Sequence, residues 1–80
     1  MKKILYIHPE ESVAYLIDRL ENTEDNALYL AADEHQALFT DAVNMKLLAR
    51  EANVLGKRIV IISQNPAVLE MARNVSFDTV

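Results

Sequence analysis

Residues 44–66 read NMKLLAREANVLGKRIVIISQNP, and this stretch decides the fold class. It opens as the back half of a long helix. Gly56, the chain's single glycine, stands where that helix must end, because glycine adopts the left-handed conformation that closes helices. The apolar residues 59–62 follow, a run typical of a strand buried on both faces. Asn65 and Pro66 then supply an N-cap and a first helical residue, so the stretch predicts a helix, a strand and a second helix in succession.

The same alternation extends toward the N-terminus. Residues 4–7 favour a strand, which His8 and Pro9 end because proline cannot donate to a strand ladder. Pro9 is also a good first helical residue, and we expect the first helix to begin there. Residues 27–31 predict a second strand after a polar loop at 22–26.

The second helix is the longest predicted element. Asp33 and Gln36 have the spacing of a capping box, so we expect the helix to follow them directly and to last until about Leu55. Beyond the third strand, residues 65–74 predict a third helix and residues 77–80 the start of a fourth strand. The expected inward positions of the second helix are Leu38, Ala42, Met45, Leu48, Ala49, Ala52 and Leu55.

Strands that alternate with helices predict a parallel sheet with right-handed crossovers. We expect an α/β fold of three layers, with a sheet of three to four strands and three helices. The strand order 2-1-3-4, flavodoxin-like or Rossmann-like, would place the apolar residues 59–62 in the centre of the sheet. The order 3-2-1 would leave them on an edge, where such a run invites aggregation.

Length and composition limit the class of protein. The 80 residues form one domain, residues 1–80, with a net charge of −4 and no basic cluster, which argues against a nucleic-acid partner. The chain lacks cysteine, which suits a reducing cytoplasm and excludes thiolate sites. No apolar run approaches the roughly 20 residues that span a bilayer. The sequence leaves open whether the chain is complete or an N-terminal domain excised from a longer protein.

Ligands of open parallel sheets bind at the carboxyl ends of the strands. There the sequence places its ionisable and amide side chains, which form the candidate binding rim. Glycine is missing from all three strand–helix turns, so we expect no nucleotide cofactor. The rim candidates are His8, Glu10, Asp33, His35, Ser63, Gln64 and Asn65.

The rim residues suggest two chemical alternatives. His8, Asp33, Glu34 and His35 are residue types that bind zinc, but their spacing matches no compact ligand motif, and exposed helix-start positions explain them equally. Ser63 is a conceivable nucleophile beside a histidine, but a role in ending the strand and supporting the next turn explains it better. We therefore assign no metal site and no catalytic residue.

The chain resembles a known family through Asn44-x-Lys46-Leu47-Leu48-x-Arg50-Glu51-Ala52, then Leu55-Gly56-Lys57, an apolar strand and Asn65-Pro66. The opening Ile7-His8-Pro9-Glu10-Glu11-Ser12-Val13 matches the acidic, proline-marked first turn of the same family. This family is a small α/β domain at the N-terminus of membrane-anchored bacterial proteins often labelled baseplate J-like. At residues 31–35 the chain departs from the family, which tends to show a proline and often a basic residue there.

The resemblance implies a cytosolic accessory domain, at the inner face of the membrane through a downstream anchor, and implies no enzyme. We therefore expect a non-catalytic interaction or regulatory module whose partner is another protein or a second copy. The alternative is a small-ligand or metal-binding domain that uses the rim, with hydrolytic activity as one version.

Overall fold

A computed structural model describes residues 3–32 and 37–80 of the chain. Strands and helices alternate as predicted. The described elements are β1 (Lys3–Ile7), α1 (Val13–Glu21), β2 (Ala27–Ala32), a 3₁₀ turn (Leu38–Thr40), α2 (Ala42–Val54), β3 (Arg58–Ile62), α3 (Pro66–Asn74) and β4 (Asp78–Thr79).

The four strands are parallel and lie in the order β1-β2-β3-β4. The predicted order 2-1-3-4 is therefore wrong. The predicted order would place β3 inside the sheet. β3 also lies inside the sheet in the observed order, because β4 pairs with Val60 and Ile61. A strand of only two residues, β4, is enough to place β3 inside the sheet.

The protein has two layers, so the predicted third layer is absent from the described residues. Right-handed crossovers that always step in one direction place every helix on the same side of the sheet. The core confirms this arrangement, since all buried helix side chains pack with one alternating set of strand residues. The strands contribute Leu5, Ile7, Leu28, Leu30, Ile59 and Ile61, and the helices contribute Leu16, Leu20, Met45, Leu48, Ala52, Val68 and Ala72.

The first helix begins later than predicted. Pro9 lies in a turn over residues 8–11, closed by the Glu11 N–H, which donates to the His8 carbonyl at 3.0 Å. Proline suits the second position of such a turn as well as it suits a helix start. α1 begins at Val13, and its N-cap is Ser12, whose hydroxyl accepts the Tyr15 N–H at 3.1 Å.

The second helix also begins later, at Ala42. Asp41 is its N-cap, because Asp41 Oδ1 accepts the N–H groups of Val43 at 2.9 Å and Asn44 at 3.1 Å. The capping box proposed for residues 33–36 lies outside the described residues. The 3₁₀ turn before α2 buries Phe39 completely, a core residue that the sequence reading missed, while the predicted inward Ala42 is exposed.

The C-terminal end of α2 and the start of α3 agree with the sequence. Gly56 has φ +69° and follows α2, so its predicted role as a helix stop is confirmed. Asn65 is the N-cap of α3, since its side-chain carbonyl accepts the Ala67 N–H at 3.0 Å, and Pro66 is the first helical residue.

Candidate functional site

The carboxyl ends of β1, β2 and β3 lie along one edge of the sheet, because the three strands are parallel neighbours. His8 and Glu10 follow β1 and are exposed. Ser63 and Gln64 follow β3 at the same edge. Asp33 and His35, predicted for the rim after β2, lie outside the described residues, as does Glu34. The described part of the rim therefore consists of the loops after β1 and β3.

An ion pair between a buried carboxylate and a partly exposed arginine holds the loop after β1. The Glu11 side chain is 1% exposed, and Arg19 Nη1 donates to both of its carboxylate oxygens at 2.9 Å. Arg19 Nη1 also lies 3.3 Å from the Tyr6 carbonyl, to which it donates. The His8 N–H donates to Glu11 Oε1 at 3.4 Å, so the carboxylate links the strand end to α1. Sequence reasoning missed this pair, because residues eight apart across a turn leave no short-range pattern.

Local hydrogen bonds account for the polar residues after β3. The Asn65 N–H donates to Ser63 Oγ at 3.0 Å, and Asn65 in turn caps α3. Gln64 is exposed between them. These contacts are those expected when Ser63 ends a strand and supports a turn.

The chemistry of the described rim is limited. Within residues 3–32 and 37–80, no three histidine or acidic side chains come together to hold a metal ion. The proposed ligand set of His8 with residues 33–35 falls mostly outside these ranges and stays a prediction.

A cavity of about 290 Å³ lies at the opposite, amino end of β3, between α2 and the segment that leads into β4. Its two cations already have partners. Lys57 Nζ donates to the carbonyls of Thr23 and Asp25 at 2.5 and 2.7 Å, and Arg58 Nε donates to Asp78 Oδ2 at 2.6 Å. The hydrogen bond that Arg58 donates to Asp78 and the negative charge of that carboxylate raise the pKa of Arg58. Asp78 therefore offsets the charge of Arg58, and the Lys57 ammonium is already held by two backbone carbonyls.

The side of the sheet away from the helices carries apolar and aromatic strand residues. None of the described helices contributes a buried side chain to it. Strand pairing aligns its residues in two rows, and we call these residues the bare face: Ile4, Tyr29 and Val60 in one row, Tyr6, Ala31 and Ile62 in the next.

The bare face is most open along β1. Tyr6 is 68% exposed and Ile4 is 40% exposed, whereas Val60 on β3 is 5% exposed. Arg58 and Asp78, which pair with each other, mark the corner at the amino ends of β3 and β4. Among the described residues, the face is thus apolar at its centre, and the Arg58–Asp78 ion pair lies at its border.

Comparison of the chain with protein-family models, with curated proteins and with solved structures gave no match. The resemblance drawn from the sequence motifs therefore stays a prediction. The described helices are all too short or too polar to cross a membrane.

Proposed function

We propose that this chain is a protein-interaction module that docks through its bare face. The observation that carries the proposal is an all-parallel sheet with helices on one side only. Parallel sheets in proteins are almost always covered on both faces. The six residues of the bare face are apolar or aromatic, which suits burial against a partner better than contact with water.

The size of the face sets the strength of the interaction. The six residues lie on three strands about 4.8 Å apart and recur about every 6.6 Å along each strand, so they form a face of roughly 200 Å². Burial of that area and of an equal area on the partner is worth about 10 kcal/mol at 25 cal/mol per Å². Association costs about 4–15 kcal/mol, so this face alone supports a weak, reversible interaction, as is typical of regulatory contacts.

The resemblance to the family of membrane-anchored bacterial proteins adds a cellular setting to the proposal. In that setting the module belongs to the cytosolic part of a longer protein. The full-length reading frame tests this: a membrane-spanning segment encoded soon after Val80 supports it, and a gene that ends at Val80 counts against it.

A site-specific photo-cross-linker tests the docking surface. The cross-linker replaces Tyr6 in one variant and Val54 in a matched control, because Val54 is 71% exposed on α2, on the helix side of the sheet. We expect the variant at position 6 to give a discrete adduct in its native cell, identified by mass spectrometry and lost on Ile4→Lys. Equal adducts from both positions, or none from position 6, would contradict the proposal.

A further inference from the structure

We infer that the ion pair of Glu11 and Arg19 closes the outer edge of β1 to strand addition by another copy of the chain. β1 stands first in the order β1-β2-β3-β4, so it is an edge strand of the sheet. Its five residues read KILYI, a β-favouring sequence whose single charge is at its first position. An open edge of this kind is a template for a strand from another chain. The inference goes beyond the proposed function, since it concerns the edge of the sheet and not the bare face.

The pairing of the strands shows which main-chain groups point to that edge. The Arg58 N–H donates at 2.7 Å to the carbonyl of Asn26, directly before β2, so even-numbered residues along β2 bond to β3 and odd-numbered ones bond to β1. Tyr29 lies beside Ile4 and therefore bonds to the residues on either side of Ile4. Because main-chain groups alternate in direction along a strand, the N–H and C=O groups of Ile4 and Tyr6 point away from β2, to the outer edge.

Glu11 and Arg19 occupy these outward groups over the carboxyl half of the edge. Arg19 Nη1 donates to the Tyr6 carbonyl at 3.3 Å. His8 follows Tyr6 in the same alternation, and its N–H donates to Glu11 Oε1 at 3.4 Å while its carbonyl accepts the Glu11 N–H at 3.0 Å. An incoming strand would need these same donors and acceptors for its own ladder. The ion pair and its turn therefore fill the place of that strand.

Burial fixes the ion pair in this position. The Glu11 side chain is 1% exposed, and Arg19 Nη1 lies 2.9 Å from both of its carboxylate oxygens. A buried carboxylate that loses its cation is strongly destabilising, so Arg19 cannot leave the edge without a large cost at Glu11. A strand that added to β1 here would have to break this ion pair, which makes the contact a barrier to strand addition.

The remaining parts of the sheet boundary are protected in simpler ways. Lys3 begins β1, and a lysine on an edge strand discourages pairing. The opposite edge strand, β4, has two residues, and short edge strands are poor templates. The ion pair thus protects the longer of the two edge strands.

Sedimentation equilibrium of the purified chain between about 10 µM and about 1 mM tests the inference. The test variant combines Glu11→Leu with Arg19→Met, which removes the cover of the edge and leaves no buried charge without its partner. We expect its self-association constant to exceed that of the wild type at least about tenfold. Glu11→Met with Arg19→Leu is a second uncharged pair if the first variant does not fold, as judged by circular dichroism.

Two substitutions at Ile4, each added to the double variant, separate the edge from the bare face. Ile4→Pro removes an N–H that points to the outer edge and takes no part in the β1–β2 ladder, a position at which a strand tolerates proline. Ile4→Ala keeps that N–H and removes most of the side chain on the bare face. We expect proline to return self-association to the wild-type level, and alanine to leave it within about threefold of the double variant.

Asp41→Ala is the control for lost stability, because Asp41 caps α2 and the substitution leaves the ion pair intact. We expect it to associate no more than the wild type does. Three results would overturn the inference: a folded double variant that associates no more than the wild type, an Asp41→Ala variant that associates as strongly as the double variant, or an association that proline and alanine at position 4 abolish equally. The last result would place the contact on the bare face, so the edge inference can fail while the proposed function stands.

Discussion

Ser76 has φ +67°, the left-handed conformation that residues with a Cβ rarely adopt. It follows α3 as Gly56 follows α2, and the hydrogen bonds at the two helix ends correspond. The N–H groups of Gly56 and Lys57 donate to Asn53 and Ala52 at 3.1 and 2.8 Å. In the same way, the Ser76 N–H donates to the Arg73 carbonyl at 3.0 Å, and the Phe77 N–H donates to the Ala72 carbonyl at 2.9 Å. The same type of turn closes both helices. At the end of α2 its left-handed position carries glycine, which that conformation favours, whereas at the end of α3 it carries Ser76.

We therefore predict that Ser76→Gly stabilises the protein. The left-handed conformation costs a residue with a Cβ about 1–2 kcal/mol, while glycine loses about 0.5–1 kcal/mol more backbone entropy on folding. The expected net gain in the free energy of unfolding is about 0.5–1 kcal/mol, which raises the thermal midpoint by roughly 2–8 °C in a domain of this size. Urea denaturation with linear extrapolation measures the gain directly.

Gly56→Ser is the reciprocal change, and it should destabilise by about 1 kcal/mol. A Cβ at Gly56 would meet no atom within 4 Å, so the loss would come from the backbone conformation and not from a clash. Ser12→Gly is the control for the substitution itself, since Ser12 has φ −85° and glycine is an acceptable N-cap that costs only a few tenths of a kcal/mol. If Ser76→Gly did not raise the free energy of unfolding above that of the wild type, the strain argument would be refuted.

Three further outcomes are expected. Arg19→Met should lower the free energy of unfolding in urea by about 2–3 kcal/mol, because it leaves the buried Glu11 carboxylate without its cation. Adding Glu11→Leu should recover part of that loss. A double variant as unstable as the sum of the two single variants would contradict the pairing. Asp41→Ala should cost about 1 kcal/mol because Asp41 caps α2, whereas a helix already under way at position 41 would make the change nearly neutral. Zinc, manganese and nucleotides should leave the thermal midpoint unchanged. A ligand that did bind, at about 100 times its dissociation constant, would add about 2.7 kcal/mol to the free energy of unfolding. A zinc-induced shift that is abolished by His8→Ala together with His35→Ala would instead establish the rim as a metal site.

The order of elements was readable from the sequence because its signals are local. Asn65, Pro66 and Gly56 act on the backbone within a few residues, and the structure confirms each of them. The start of α2 was not readable in this way. Asp33 and Asp41 both suit an N-cap, and what precedes α2 is a 3₁₀ turn whose Leu38 and Phe39 are buried in the core, which is a tertiary effect.

The predictions of the strand order and of the loop after β1 were wrong for a different reason. A two-residue strand such as β4 has too few residues to show a pattern, yet its pairing with Val60 decides that β3 lies inside a sequential sheet. The predicted helix start at Pro9 would place Glu11 in a first helical turn, whereas its partner Arg19 stands eight residues away. Such contacts depend on how the chain closes on itself, so only the fold reveals them.

The run at residues 59–62 favours covering of both faces of the sheet, and the structure separates its two faces. Ile59 and Ile61 pack in the core beneath the helices, whereas Val60 and Ile62 face the other way. A strand with one wet face normally alternates apolar with polar residues, and β3 does not. The described chain has no third layer, but β3 has apolar residues on both faces, which is the feature that favours one. Under the proposed function, a docked partner would supply that layer from outside, and this would explain why an all-parallel sheet with one layer of helices keeps its second face apolar.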